Sequence, residues 1–327
     1  MTITKLAWRD LVPDTESYQE LFAQPDLTKE HEFILSDTQP RLHYALEQMS
    51  SPWATSPFML LKAPEEAEYL TLLGDAMRQL QPKTNAVFGG QYHIAGRDVT
   101  FEPATQADGL FAAKGEVITA NWVEAEQLFG CLRQFNGDVS LQPGLVHRAN
   151  GGVLLISLRT LLAQPLLWMR LKTVVTQQRF DWVGFDESRP LPVSIPSMPL
   201  SLTVVLTGDR ESLADFQEME PELAEQAVYS EFEDNIQIAD ADDMAQWCQW
   251  VMAVAERFAL PSPAEDAWPG LIREAVRYTG DQETLPLCPL WIGKQLREVG
   301  VISGNGTFNG EQLSQMLAQR EWREGYL

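Results

Sequence analysis

The residues that follow a short apolar strand carry the clearest chemical information in this chain. The run Val153–Ile156 predicts a buried strand, with a turn rich in Gly and Asn before it and a helix start after it. An enzyme that hydrolyses nucleotides needs carboxylates directly after such a strand, because Mg²⁺ prefers hard carboxylate oxygens. Ser157 and Leu158 occupy those two positions. The serine is a typical helix-capping residue, whereas the leucine can neither bind a metal nor act as a base.

The loop after the strand predicted at Phe58–Lys62 lacks the residues that hold phosphates. A phosphate-binding loop needs glycines, so that backbone N–H groups can approach the ligand, together with a Lys and a Ser or Thr. The segment Ala63–Tyr69 reads APEEAEY and contains none of these. We expect Glu65 and Glu66 to lie at a helix start, where each acid interacts favourably with the helix dipole by about 0.3–1 kcal/mol. Three carboxylates there would repel a triphosphate.

Other catalytic arrangements find no support in the sequence. Arg210, after a predicted strand, is one candidate for an arginine that reaches a neighbouring γ-phosphate. The four histidines are scattered, the three cysteines form no metal-binding pair and are expected to be buried free thiols, and no GxSxG motif occurs. We interpret His147 as a side chain that hydrogen-bonds the backbone of its own turn. The sequence therefore predicts no catalytic residue, no metal site and no cofactor.

The charge balance of the chain is strongly acidic. Its 327 residues include 46 Asp and Glu against 24 Lys and Arg, which gives a net charge of −22. Such a surface repels phosphate backbones and argues against a nucleic-acid partner. No apolar run approaches the roughly 18 residues of a membrane span, and the N-terminus lacks the apolar core of a signal peptide. We therefore expect a cytoplasmic protein without membrane contact.

One segment concentrates this negative charge. Between Asp209 and Asp243 there are thirteen Asp and Glu residues and a single basic residue, Arg210. No Lys or Arg occurs from Glu211 to Glu256. The segment is either a solvated acidic face or a docking surface for a basic partner, and both interpretations stay open.

Helices that alternate with short apolar strands predict a parallel α/β sheet. An amphipathic helix is predicted over residues 37–49, with Pro40 in its first turn. The predicted strands are Phe58–Lys62, Gln91–Ile94, Val99–Phe101, Val117–Thr119, Val153–Ile156, Trp182–Phe185 and Ser201–Leu206. Further helices are predicted at Glu16–Ala23, Glu65–Leu80, Trp122–Phe135 and Arg159–Thr176. The last helix is expected to bury two adjacent stripes, Leu162, Leu166 and Met169 beside Leu167, Leu171 and Val174.

From Met244 onward the pattern is helical only. Four helices are predicted, at Met244–Phe258, Trp268–Thr279, Leu290–Val299 and Gly310–Tyr326. Their tryptophans are expected to fill a small core, with one or two available as an interface anchor. We therefore divide the chain into an N-terminal arm (1–37), an α/β subdomain (38–239) and a helical subdomain (240–327).

Several of these segments resemble the ATPase part of Lon-like (LonB-type) AAA+ proteases. The main signature is the turn HRANGG at residues 147–152 with the strand that follows it. Supporting segments are Leu128–Gly130, Leu162–Trp168, Thr38–Arg41, Leu202–Arg210 and Glu274–Gln282. The resemblance covers roughly residues 38–320 and implies an AAA+-like parallel-sheet subdomain followed by a small all-helical lid.

The resemblance also implies a degenerate nucleotide site. The Walker A Lys and Thr of the family would fall near residues 66–68, and its Walker B acids fall on Ser157 and Leu158. Its sensor position falls on Thr207, which alone is chemically tolerable. The predicted remnant of the site consists of Pro64, Glu65, Glu66, Ser157, Leu158 and Thr207.

The proteolytic domain of the family, with its Ser–Lys dyad, would follow the lid. We therefore expect this chain to be an N-terminal piece of a longer Lon-type serine endopeptidase, without catalytic residues of its own. Implied partners are the C-terminal protease domain, protein clients and further copies of the chain. Three functional hypotheses follow: a nucleotide-independent regulatory and substrate-recruiting module, a divergent working ATPase, and a stand-alone acidic adaptor.

Overall fold

A computed structural model describes residues 35–136, 138–184 and 191–325 of the chain. These residues form two compact units, one of residues 41–232 and one of residues 35–40 together with 233–325. The predicted arm lies almost wholly outside the described residues, including its helix Glu16–Ala23. The division into arm, α/β subdomain and lid stays a prediction.

The elements alternate along the first unit and become mainly helical in the second. In chain order up to the central strands they are α1 (Leu35–Thr38), α2 (Pro40–Ser50), β1 (Phe58–Lys62), α3 (Ala67–Leu80), β2 (Phe88–Ala95), β3 (Asp98–Pro103), β4 (Phe111–Ala113), β5 (Val117–Ala120), α4 (Ala125–Phe129), β6 (Cys131–Phe135), β7 (Asp138–Gln142), α5 (Leu145–Arg148) and β8 (Val153–Ser157). Next come α6 (Leu158–Ala163), α7 (Pro165–Gln177), β9 (Arg179–Phe180), β10 (Met198–Pro199), β11 (Thr203–Gly208), α8 (Arg210–Met219), α9 (Pro221–Gln226) and β12 (Val228–Glu231). The remainder are β13 (Asn235–Gln237), α10 (Ala241–Arg257), β14 (Ser262–Pro263), a 3₁₀ turn (Glu265–Ala267), α11 (Trp268–Thr279), β15 (Thr284–Pro286), α12 (Pro289–Ser303), β16 (Thr307–Phe308) and α13 (Gly310–Glu324).

A five-stranded parallel sheet is the centre of the first unit. Its strand order is β12-β1-β11-β8-β5, and every neighbouring pair is parallel. Strand β8 is buried along its whole length and β1 along all but its last residue, which is why both sequences are continuously apolar. The predicted α/β class with a helical C-terminal part is confirmed. The parallel order also brings the carboxyl ends of β1, β11 and β8 together at one edge.

The helix predicted at Trp122–Phe135 is wrong in its second half. Helix α4 ends at Phe129, and residues 131–135 form β6, which pairs with β7 in an antiparallel hairpin. The break is Gly130, whose φ is 72° and ψ is 179°, a conformation open essentially to glycine. A Cβ there would lie 2.1 Å from the carbonyl oxygen of Gln142, so the close approach also requires glycine.

The helix predicted at Arg159–Thr176 is two helices, α6 and α7, separated at Gln164. Gln164 has an extended φ of −133°, and Pro165, which has no N–H to donate, begins α7. Because of this break, the faces of α6 and α7 do not line up as they would in one continuous helix. The stripe Leu167, Leu171 and Val174 is buried as predicted, but Leu166 and Met169 are 81% and 60% exposed.

Smaller corrections concern the short strands. The strand predicted at Trp182–Phe185 is absent from its described part, residues 182–184, and β9 ends at Phe180 and pairs with β10. The prediction of a purely helical C-terminal region is wrong in detail, since the short pairs β13–β15 and β14–β16 lie there. The predicted hairpin pieces are confirmed as the β2–β3 pair and β5.

The four predicted C-terminal helices are confirmed as α10 to α13; only Tyr326 lies outside the described residues. Trp247, Trp250 and Trp268 are buried among them, whereas Trp322 is 72% exposed. The cysteines are free, with Cys131 and Cys248 buried and Cys288 half-buried. In the described ranges, no helix combines the length and apolar character that crossing a membrane would require.

The helix predicted over residues 37–49 is interrupted at Gln39, between α1 and α2. The buried Gln39 amide pairs with the backbone of Glu233, donating to its carbonyl at 2.7 Å and accepting from its N–H at 2.8 Å. This side chain therefore satisfies two backbone groups as a neighbouring strand would.

Candidate functional site

The carboxyl edge of the sheet holds most of the predicted site residues. Thr207 on β11 lies opposite Leu61 of β1 on one side and Ser157 of β8 on the other. Ser157 and Thr207 are both buried, and the Thr207 hydroxyl donates a long, 3.4 Å bond to the carbonyl oxygen of Ile156. In open α/β sheets this edge is where ligands bind. A ligand site in this sheet is therefore expected at this edge.

Glu65 reaches this edge from the loop after β1. Glu65 is only 5% exposed. Oε1 accepts a hydrogen bond from the Ser157 hydroxyl at 2.5 Å and another from the backbone N–H of Arg159 at 2.9 Å. Oε2 lies 3.1 Å from Nη2 of Arg159 in an ion pair, although the angle is not that of a hydrogen bond and Oε2 accepts none. We call this set of Glu65, Ser157 and Arg159 the carboxylate lock.

The carboxylate lock corrects the expected role of Glu65. Helix α3 begins at Ala67, and its N-cap is Glu66, so Glu65 lies before the helix. The Glu65 carboxylate instead caps α6, the helix that follows β8, from 94 positions away in the sequence. Ser157 occupies the N-cap position of α6 as predicted, but its hydroxyl makes no capping bond because it donates to Glu65. A charged acceptor at a helix N-terminus also interacts favourably with the dipole.

The other predicted site residues are arranged differently. Leu158 is fully buried and belongs to the hydrophobic core; a Cβ on Gly208 would lie 2.9 Å from its Cδ1. Glu66 is exposed and makes no side-chain cap, and Pro64 is half-buried. The structure thus brings Glu65, Ser157 and Thr207 to one edge and places Leu158 in the core. That this edge descends from a nucleotide site stays a prediction.

The polar groups at this edge are bonded to one another, and the edge carries a buried carboxylate. Phosphates bind at helix N-termini through free backbone N–H groups. The loop before α3, where the sequence would place such groups, instead carries Glu65, whose carboxylate bonds the N–H of Arg159 in α6. A triphosphate at this edge would meet a buried carboxylate, and like charges repel strongly away from water. In residues 35–136, 138–184 and 191–325, no group of three or more His, Cys, Asp or Glu side chains could hold a metal ion.

His147 is a buried structural residue, which confirms its interpretation as a turn-stabilising side chain. Its Nδ1 accepts a hydrogen bond from the Gly144 N–H at 3.0 Å. The ring packs among Phe111, Phe180 and Trp182, with centroid distances of 4.2–5.6 Å. Burial, followed by the nearby charge of Arg170, lowers the pKa of His147 to about 3. The imidazole is therefore neutral at physiological pH and lies away from any solvent-accessible site.

Comparison with known proteins supports a family assignment. Residues 114–232 match the family model described as LonB-like, AAA domain. A Lon protease homolog from Escherichia coli (strain K12) is 65% identical over 327 residues, which is 100% of this chain and 56% of that protein. Both matches support a Lon-like AAA+ family assignment for this chain.

Two further comparisons describe this Lon-like AAA+ chain. A Lon protease homolog from Haemophilus influenzae (strain ATCC 51907 / DSM 11121 / KW20 / Rd) is 38% identical over 210 residues, 62% of this chain and 35% of that protein. NtrX from Brucella abortus, in its crystal structure with ATP, superimposes with a TM-score of 0.47 and 12% identity over 84% of this chain and 52% of that chain. The chain spans about half the length of the Escherichia coli relative.

Two residues of the carboxylate lock were not predicted in their observed roles. Sequence reasoning left Arg159 without a role and assigned Glu65 to the wrong helix. The only sequence signal for this role is that Glu65 directly follows Pro64 at the end of a buried strand. A carboxylate that is buried there needs a hydrogen-bonding or charged partner. That partner lies 92 positions away, beyond any local pattern.

Proposed function

We propose that this chain is a nucleotide-independent, AAA+-like module that regulates a Lon-like serine protease homolog and recruits its substrates. The observation that carries the proposal is the carboxylate lock, in which Glu65 bonds the Ser157 hydroxyl and the N–H of Arg159. The lock joins the loop after β1, where the resemblance implies phosphate-binding groups, to Ser157, where it implies a metal-binding acid. Proteolysis belongs to the longer protein, so the protease domain and the clients are part of the proposal.

Exposed apolar side chains on α7 support the recruiting role. Leu166 and Met169 project from consecutive turns of the helix and line an open groove of about 340 Å³ with Thr173 and Arg179. Exposed apolar surface of this kind is typical of protein-binding sites. Unfolded clients expose apolar side chains, so they are the class of ligand that this groove fits.

Nucleotide independence is tested by thermal unfolding with and without ATP and Mg²⁺. A ligand at 100 times its Kd stabilises the native state by about 2.7 kcal/mol. For a domain of roughly 150–250 residues, 1 kcal/mol raises the Tm by about 2–4 °C. We expect no rise at millimolar ATP with Mg²⁺. A clear, dose-dependent rise would contradict nucleotide independence and leave the recruiting role to be tested separately.

The recruiting role is tested by fluorescence anisotropy with a reduced, carboxymethylated model protein that cannot fold. The variant Leu166→Ser/Met169→Ser is expected to weaken its binding at least about tenfold. A tenfold loss is only about 1.4 kcal/mol, less than the roughly 1.5–3 kcal/mol gained by fully burying one such side chain. The matched control is Leu110→Ser/Val301→Ser, because Leu110 and Val301 are 69% and 85% exposed and lie outside this groove. Equal loss in both variants, or no binding by the wild type, would refute the role of α7.

A further inference from the structure

A cationic groove lies along β5, an edge strand of the central sheet, in a chain whose net charge is −22. The groove has a volume of about 700 Å³. Its cations are Arg78, Lys83, Lys114 and Arg148, and Glu116 is its one acidic lining residue. The groove therefore attracts anions locally on a molecule whose net charge repels them.

Three of the four groove cations are available to a ligand. Lys83, Lys114 and Arg148 are exposed, and none of the ion pairs among the described residues involves them. They come from three separate segments, the loop after α3, the residues before β5 and the end of α5. The fourth cation, Arg78, pairs with Asp75 at 2.5 Å. The fold, and not a run of basic sequence, therefore gathers the positive charge.

The groove follows the backbone of the edge strand, which favours an extended ligand. Its lining includes the consecutive residues Lys114–Thr119, and these contain the first three residues of β5. In the described part of the chain, β5 pairs with β8 and has no strand on its other side. The Val117 carbonyl oxygen accepts a long, 3.5 Å bond from Nη2 of Arg78, so it faces this open side. Extended peptides bind along such edges, and nearby side chains then set the sequence preference.

We propose that the cationic groove binds an acidic, extended segment of a client protein. This inference rests on the recruiting role proposed above and adds a second site of different chemistry, since α7 presents apolar side chains and the groove presents cations. An acidic client is repelled at long range by a molecule of net charge −22, so it is held only where the sign is locally reversed. The groove supplies that reversal. Unfolded segments rich in Asp and Glu are therefore the class of ligand that it selects.

Fluorescence anisotropy tests this site with a labelled, unstructured peptide in which Asp and Glu alternate with Ser and Gly. Salt of about 0.1 M sets a Debye length of about 10 Å and so confines the effect of a substitution to nearby charges. The wild type is expected to bind this peptide and not the same peptide with Lys at each acidic position. The variant Lys114→Glu/Arg148→Glu is expected to bind at least about tenfold more weakly, because like charges then face each other.

The matched control is Arg97→Glu/Arg273→Glu, which makes the same change of net charge at two exposed arginines outside the groove. It is expected to keep the wild-type affinity within about twofold, since distant charges are screened. Far-UV circular dichroism checks that every variant is folded. Equal losses in the groove and control variants would overturn the proposal, as would a wild type that binds no acidic peptide up to about 100 µM.

Two further measurements separate this site from its rivals. Inorganic tripolyphosphate that binds as tightly as the peptide and displaces it would show that the groove holds compact anions, which would overturn the assignment to an extended segment. The variant Leu166→Ser/Met169→Ser is expected to keep its affinity for the acidic peptide, and a loss there would place the peptide on α7 instead. Failure of the α7 site itself is measured with the carboxymethylated protein, so the failures of the two proposals are distinguishable.

Discussion

At the residue scale, the carboxylate lock decides what this edge of the sheet can do. Glu65→Ala removes the acceptor for the Ser157 hydroxyl and for the N–H of Arg159. We expect a loss of about 1–3 kcal/mol in the free energy of unfolding, the usual penalty for leaving buried polar groups without a hydrogen-bond partner. Urea denaturation measures it. Glu66→Ala is the control, since Glu66 is exposed and makes no cap, and is expected to stay within about 0.5 kcal/mol. Equal losses in the two variants would contradict the lock.

An acid at position 157, where the resemblance implies a Walker B acid, is expected to destabilise the protein. Ser157→Asp would place a second carboxylate against Glu65, whose Oε1 is 2.5 Å from the present hydroxyl. Uncompensated buried charge costs about 3–5 kcal/mol. Urea denaturation of the wild type, Ser157→Asp, Glu65→Gln and the double variant forms a double-mutant cycle. The cycle measures the coupling energy between the two side chains. A penalty unchanged in the Glu65→Gln background would show that the two side chains do not interact.

His147 makes the stability of the α/β unit depend on pH. In the unfolded chain a histidine binds a proton below a pH of about 6.5, whereas burial lowers the pKa of folded His147 to about 3. Between these values the unfolded state holds one proton more, so the free energy of unfolding falls on acidification by about 1.4 kcal/mol per pH unit. The variant His147→Gln is expected to reduce this slope in urea denaturation between roughly pH 4.5 and 6.5. The half-exposed His93 provides the control His93→Gln; equal slopes in wild type and His147→Gln would be the contrary result.

At the scale of elements, sequence patterns predicted what depends on neighbouring residues. Four of the five strands of the central sheet and the four C-terminal helices are encoded by local apolar patterns, and the structure confirms them; the edge strand β12 was not predicted. The errors occur where one residue overrides periodicity, as Gly130 does after α4 and Pro165 does before α7. The carboxylate lock escaped prediction for another reason: its bonds join segments more than ninety positions apart, and only the parallel sheet order brings them together.

The turn at Gly130 yields a prediction about the hairpin that follows α4. Gly130→Ala would force a side chain into a φ of 72° and ψ of 179° and place its Cβ 2.1 Å from the Gln142 carbonyl oxygen. We expect a loss of more than about 2 kcal/mol, since backbone strain alone costs roughly 1–3 kcal/mol. Gly304→Ala is the control, because Gly304 has a similar φ of 73° and ψ of −164° with no atom within 4 Å of a Cβ. Thermal or urea unfolding measures both losses. Equal losses in the two variants would mean that the contact with Gln142 is relieved without cost.

At the scale of the whole molecule, the excess of 46 acidic over 24 basic residues acts on stability as well as on association. Exposed ion pairs such as that between Lys62 and Glu231 contribute only about 0–1 kcal/mol each, so they cannot offset the repulsion spread over the surface. Salt screens charges beyond about 10 Å at 0.1 M. Below the concentration at which copies associate, the Tm is therefore expected to rise with NaCl from about 0.01 to 0.2 M, as the Debye length falls below about 10 Å.

Differential scanning fluorimetry at low protein concentration measures this dependence. The variant Glu218→Lys/Glu222→Lys, which lowers the negative charge of α8 and α9, is expected to show a smaller salt-dependent rise. The substitution Leu110→Ser, at an exposed apolar side chain, leaves the charge unchanged and should keep the wild-type dependence. A Tm that falls as salt is added would mean that ion pairs outweigh the net repulsion.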